Sequence, residues 1–138
     1  MISSRWPLVL LLIFSPIALA ELEFRDPWIK NLPASVPVRA GYMTIHNPQS
    51  EAVSIVSLRS NAFAMIEIHQ TIEQDGMMRM EQVTGLKIEP NSSVQLEPGG
   101  LHLMMMNPSE PTQAGDLLEI VVVLDDGSEQ RVEMQVKR

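Results

Sequence analysis

Cysteine is absent from this sequence of 138 residues. Its absence excludes thiol-disulfide chemistry, and it also excludes a blue-copper electron-transfer site, which needs a cysteine thiolate as a ligand. Covalent haem attachment through a C-x-x-C-H motif is excluded for the same reason. A secreted domain with this sequence must therefore be stable through packing alone.

Positive charge is scarce, since 10 Lys and Arg stand against 17 Asp and Glu and the formal net charge is −7. A surface of this sign argues against nucleic acid and anionic membranes as partners. Catalytic motifs are also missing: there is no G-x-S-x-G, no H-E-x-x-H, no phosphate-binding glycine loop and no cysteine nucleophile. The sequence therefore does not predict an enzyme.

The longest apolar run, LVLLLIF, occupies residues 8–14 near the N-terminus. It follows Arg5, and Ala18-Leu19-Ala20 comes before the polar Glu21, which is the pattern of a secretory signal peptide with an A-x-A cleavage site. The run is short for a membrane anchor. We therefore predict a signal peptide at residues 1–20 and one periplasmic domain at residues 21–138, with no membrane insertion after cleavage.

After residue 20, short runs of β-forming residues are separated by turn residues about every eight to twelve positions, and no stretch has sustained helical periodicity. This pattern predicts a single-domain all-β sandwich or barrel. The predicted strands are 22–28, 38–46, 53–59, 64–72, 77–83, 86–89, 94–97, one through His102, 117–124 and 131–136. Strand 22–28 is predicted at an edge because Pro27 cannot donate to a ladder, and the nearly apolar strand 117–124 is predicted to be central or buried on both faces.

One candidate pair, His69 and Met80, lies on the two strands of the hairpin predicted around Asp75-Gly76. If residues 73–76 form the loop, His69 lies directly opposite Met80, whereas a two-residue Asp-Gly loop makes them diagonal neighbours. Both registers keep imidazole and thioether on one strand face. The other residues of that face are largely polar, so this face is not simply core.

A second pair, His102 and Met104, shares a strand face because the two residues are two positions apart. Neutral imidazole and uncharged thioether favour Cu(I), whereas carboxylates suit magnesium or calcium. We therefore take His69, Met80, His102 and Met104 as candidate ligands, and we expect binding to weaken in acid because imidazole must be unprotonated to bind. Spacing alone does not show that the two pairs meet in space.

The remaining methionines and histidine have simpler interpretations. Methionine is an adaptable core filler, and apolar alternation predicts core positions for Met43, Met65, Met105 and Met134. Met78 and Met106 share faces with the candidate ligands, where they are either reserve ligands or a hydrophobic collar. His46 is predicted to be a surface or hydrogen-bonded histidine.

The spacing His-x10-Met-x21-His-x-Met resembles the signature of the periplasmic copper chaperone family PCu(A)C, and it is met by His69, Met80, His102 and Met104. WIKNLPASVPVRAGYMTIHNP, IEIHQTIEQDGMMRM and LEPGGLHLMMMNP are also similar to that family, so the resemblance covers nearly the whole chain after residue 20. Many members have Met directly after the first His, where this chain has Gln70. Some carry a His- and Met-rich tail, whereas this chain ends VEMQVKR, so no additional Cu(II) site is predicted.

The resemblance implies a cupredoxin-like Greek-key β-sandwich that binds Cu(I) at those four residues. It further implies a recipient, either the copper centre of cytochrome c oxidase or a thioredoxin-fold assembly protein that serves it. We expect the chaperone itself to be a monomer. Two alternatives remain open: a copper-buffering or tolerance protein with the same ligands and no dedicated recipient, and a metal-free interaction module whose methionines form a protein-binding patch.

Overall fold

The computed structural model describes residues 10–13 and 21–138. These residues form ten strands and no helix. Most of the predicted signal peptide, residues 1–20, lies outside the described residues, so that prediction stays a prediction. Within the two described ranges, no helix is long and apolar enough to cross a bilayer.

Each predicted strand has a counterpart, and where both ends were predicted they differ by at most two residues. The strands are β1 (Glu23–Lys30), β2 (Val38–Asn47), β3 (Val53–Ser60), β4 (Phe63–Gln74), β5 (Met77–Gln82), β6 (Leu86–Ile88), β7 (Ser92–Leu96), β8 (Leu101–Pro108), β9 (Leu117–Leu124) and β10 (Glu129–Lys137).

The strands form one sheet that closes on itself. Its order is β5-β4-β8-β2-β1-β10-β9-β3-β6, β7 pairs with β2, and an additional pairing joins β3 to β4. The pairing of β3 with β4 closes the sheet, while β5 and β6 remain at the two ends of the strand order. The predicted all-β class is confirmed, and β9 takes the predicted central position, between β10 and β3.

The first strand is not at an edge, so that prediction was wrong. β1 pairs with β2 on one side and with β10 on the other. Pro27 fits there because the register with β2 shifts between Arg25 and Trp28, and Asp26 adopts a φ of 50°. Such a bulge leaves a residue outside the ladder, so the missing N–H of proline does not break a regular hydrogen bond.

The core lies inside the closed sheet, and three of the four predicted core methionines belong to it. Met43, Met105 and Met134 are at most 3% exposed. Met65 is 50% exposed, so its predicted core position was wrong. The reason is strand parity: the core-facing position on this part of β4 belongs to the next residue, the buried Ile66.

The β4–β5 hairpin carries an exposed edge strand. All six residues of β5 are exposed, and β5 ends the order of strands in the sheet. The turn contains only Asp75 and Gly76, with φ values of 53° and 75°, because Gln74 pairs directly with Met77. Two consecutive positive φ values are the geometry of a type I′ turn. This tight turn determines which residues of β5 face the candidate ligands of β4.

Candidate metal centre

Strand register places all four candidate ligands on one face of the sheet. His69 on β4 pairs directly with His102 on β8, and Met104 pairs with Glu67 in the adjacent row. On the other side of β4, Met80 of β5 pairs with Thr71. Because alternate side chains share a face, the two histidines form one row, with Met104 in the row on one side and Met80 in the row on the other.

Of the two hairpin loops that the sequence left open, the structure has the two-residue Asp-Gly loop, not the four-residue loop at residues 73–76. His69 pairs with Gln82 instead of Met80, which becomes its diagonal neighbour. The Asp-Gly turn reverses the chain within two residues and so shifts the register relative to the longer loop. Diagonal neighbours lie about 7–8 Å apart, a distance that long side chains can span.

The two imidazole rings lie close together and are shielded from solvent. Their centroids are 6.2 Å apart and their planes are inclined by 40°. His102 is 6% exposed, and the side chain of His69 is 14% exposed. The two histidines that the sequence places 33 positions apart are thus brought into one partly buried pair.

Each ring has one nitrogen engaged in a hydrogen bond. Nε2 of His69 lies 2.7 Å from Oε2 of Glu67, and Nδ1 of His102 lies 3.0 Å from the carbonyl oxygen of Gly100. A carboxylate and a carbonyl accept, so these nitrogens donate, and in the neutral rings the lone pairs remain on Nδ1 of His69 and Nε2 of His102. Nδ1 of His69 is buried without a hydrogen-bond partner. An unpartnered buried polar atom is costly and calls for an explanation.

The thioethers along this face differ in exposure. Met104 is half-buried, whereas Met80 is 56% exposed. Met78 lies one row beyond Met80 toward the turn, and Met106 lies one row beyond Met104, directly opposite Met65. Met78 and Met106 therefore share the face of the candidate ligands, as predicted, but each stands two rows from the histidines.

Two further side chains on β2 lie outside the histidine row. His46 has its Nδ1 2.7 Å from Oγ of Ser93, which confirms the predicted hydrogen-bonded histidine. Tyr42 packs on Trp28 with 4.8 Å between ring centroids, and burial raises the pKa of its hydroxyl, so it stays protonated at neutral pH. Neither side chain has a second histidine or a methionine pair beside it, so neither is a candidate ligand.

Comparison with known proteins identifies the family. A family model described as "Putative lipoprotein LpqE-like" matches residues 22–136. The chain belongs to the LpqE-like family. The uncharacterized protein RP573 of Rickettsia prowazekii is 32% identical to this LpqE-like chain over 121 residues, which cover 85% of this chain and 67% of RP573.

Solved structures confirm the fold of this LpqE-like protein. The copper-bound PCuAC domain from PmoF2 superposes with a TM-score of 0.72 at 18% identity, over 87% of this chain and 95% of that domain. The solution structure of Cu(I)-bound DR1885 from Deinococcus radiodurans gives 0.67 at 25% identity, over 81% and 75%. The resemblance to the PCu(A)C family and the cupredoxin-like sandwich that it implied are confirmed.

The candidate donors on this face of the LpqE-like protein are imidazoles and thioethers. In residues 10–13 and 21–138, no group of three or more His, Cys, Asp or Glu side chains is placed to hold a metal ion. Two imidazoles flanked by thioethers are the chemistry that suits Cu(I). The sequence analysis missed the contact of Glu67 with His69, and the available signal was their i, i+2 spacing on one strand face.

Proposed function

We propose that this LpqE-like protein is an extracytoplasmic copper chaperone that binds one Cu(I) ion through His69, Met80, His102 and Met104. The observation that carries the proposal is the buried, unpartnered Nδ1 of His69 in the same row as His102. A bound ion would occupy that lone pair. Two proteins of the same fold, the PmoF2 domain and DR1885, are described as copper-bound and Cu(I)-bound.

Further observations support the proposed location and role. The family description as a lipoprotein supports a place outside the cytoplasm, and the predicted signal peptide at residues 1–20 would direct the chain to the periplasm. The protein acts by binding and transfer, without catalysis. Its recipient, as the PCu(A)C resemblance implies, is the copper centre of cytochrome c oxidase or a thioredoxin-fold protein that assembles it.

Delivery would proceed by ligand exchange at the exposed side of the site. Met80 is 56% exposed on the edge strand, whereas His102 is 6% exposed. A thiolate or thioether of the partner would form a bond to copper as the bond to Met80 breaks, and the oxidation state of copper would not change. Thioethers are neutral and leave without taking up a proton, so this exchange needs no proton transfer.

A competition titration tests the proposal. We expect the protein to take one Cu(I) from a competing chelator, and X-ray absorption of the loaded sample to show mixed sulfur and nitrogen neighbours. Failure to compete, or a shell of nitrogen and oxygen alone, would refute the site. Mixing the loaded protein with a purified recipient then separates delivery from copper buffering, because a buffering protein retains its ion.

Glu67 offers a second prediction, since it accepts a hydrogen bond from Nε2 of His69 and so holds Nδ1 as the free nitrogen. Replacing it, Glu67→Leu, should lower Cu(I) affinity about 10–100-fold, the usual cost of losing a partner that orients a ligand. Glu67→Gln retains an acceptor oxygen and should keep most of the affinity. The measurement is the same chelator competition.

The matched control is Glu73→Leu, which removes a carboxylate from the same strand face three rows nearer the turn. It should leave affinity unchanged. Equal affinities for wild type and Glu67→Leu would show that this hydrogen bond does not orient the ligand, and equal losses for Glu67→Leu and Glu73→Leu would point to overall negative charge instead.

A further inference from the structure

A second pair of thioethers lies on the same face, beyond Met104. Met65 on β4 pairs directly with Met106 on β8. Directly opposed residues have Cβ atoms about 4.5–5.5 Å apart, so the flexible side chains can bring both sulfur atoms to one ion. Met65 is 50% exposed and Met106 is half-buried, which makes the pair accessible from solvent.

Core packing does not account for this pair. The alternation of β8 turns Met105 into the core, where it is fully buried, and turns Met104 and Met106 to the other side. On β4 the buried Ile66 fills the core position next to Met65. Two opposed methionines on the outer face of the sheet thus add no volume to the core.

Met104 stands between this pair and the histidine row. It pairs with Glu67, so it is a diagonal neighbour of Met65 on one side and of His69 on the other. Rows on one strand face are two residues apart, about 6.6–6.8 Å. One thioether is therefore within reach of both positions.

We propose that Met65 and Met106 form a second Cu(I) site made of thioethers alone, with Met104 as a shared third ligand when the histidine row is empty. The proposal deepens the copper function proposed above and rests on it for the source of the ion. An ion moves one position when its bonds to His69, His102 and Met80 break, bonds to the sulfur atoms of Met65 and Met106 form, and the bond to Met104 is kept. Copper stays Cu(I) throughout.

Soft sulfur ligands select Cu(I) over harder ions, and an all-thioether site lacks the stronger imidazole donors. The second site should therefore bind more weakly than the histidine site and fill after it. It lies on the same face, at the end away from the β4–β5 turn, and so gives the ion a position distinct from the exchange point at Met80.

Titration with Ag⁺, a soft monovalent ion in place of Cu(I), tests this on the whole protein carrying ¹³C-labelled methionine methyl groups. We expect the first equivalent to shift the methyl signals of Met80 and Met104, and further Ag⁺ to shift those of Met65 and Met106. In His69→Ala/His102→Ala, the signals of Met65, Met106 and Met104 should respond from the first addition. Met65→Leu/Met106→Leu should lose the later equivalent alone.

Met77→Leu is the matched control, because Met77 is 74% exposed but lies on the opposite face of β5. This variant should still bind both equivalents of Ag⁺. In the wild-type titration, the methyl signal of Met77 is the reference. The second site is overturned if the signals of Met65 and Met106 shift no more than the signal of Met77. If Met80 and Met104 respond while Met65 and Met106 do not, only this inference fails; if Met80 and Met104 are silent, the proposed histidine site fails instead. If the double histidine variant does not fold, the wild-type titration decides alone.

Discussion

The variant His69→Ala/His102→Ala is expected to lose Cu(I) affinity by more than about 100-fold, because losing even a partner that merely orients a ligand costs 10–100-fold. His69 and His102 are directly opposed on β4 and β8, and their ring centroids are 6.2 Å apart. Each ring has one nitrogen whose lone pair is free for a metal ion. Competition with a Cu(I) chelator measures the loss.

His46→Ala is the control for that experiment, since His46 bonds to Ser93 outside the histidine row and its loss should leave affinity unchanged. A second variant, Met80→Leu/Met104→Leu, removes the thioethers without emptying a buried position and should also weaken binding. The ligand assignment is wrong if this variant binds Cu(I) as tightly as wild type. Circular dichroism of each variant shows whether the β fold is retained.

Met105→Ala is expected to destabilise the protein by about 2–5 kcal/mol, the usual cost of truncating a buried methionine to alanine. Met105 is fully buried, and its Sδ would lie 3.1 Å from a Cβ placed on Gly41 of the adjacent strand, so the surrounding packing is tight. The truncation leaves a cavity that the closed sheet cannot easily fill. Urea denaturation followed by circular dichroism measures the change in the free energy of unfolding.

The neighbouring Met104→Leu should behave in the opposite way, with lower Cu(I) affinity and little change in stability, because Met104 faces outward. Met77→Ala, at an exposed position of the edge strand, should change stability by less than about 0.5 kcal/mol. Similar stability losses for Met105→Ala and Met77→Ala would contradict the assignment of faces along β8.

The positions of the strands could be predicted from local sequence pattern, because alternation and turn residues act between near neighbours in the chain. The Asp-Gly pair signalled the hairpin, and alternation in the last strand signalled the buried Met134. The length of the hairpin loop was not decided locally, since both a two-residue and a four-residue loop accommodate Asp75-Gly76.

Long-range packing decided the positions that local pattern left open or assigned wrongly. Arg39 is fully buried, yet nothing near it in sequence provides a charged partner. Its Nε donates to Oγ1 of Thr112, 73 positions away, and its Nη1 donates to the backbone carbonyls of Val36 and Val38. The bulge that admits Pro27 into the interior strand β1 is likewise a property of pairing with β2.

The sequence by itself determined the all-β class, the acidic surface, the absence of thiol chemistry and the two His-Met pairs, because residue type and alternation act within a strand. Only the tertiary structure decided that the pairs meet, since β4 and β8 are neighbours in the sheet but are separated by three strands along the chain. The same pairing set Met65 against Met106 and aligned Glu67 with Met104. Strand order depends on how the whole sheet closes over its core, and no local pattern encodes it.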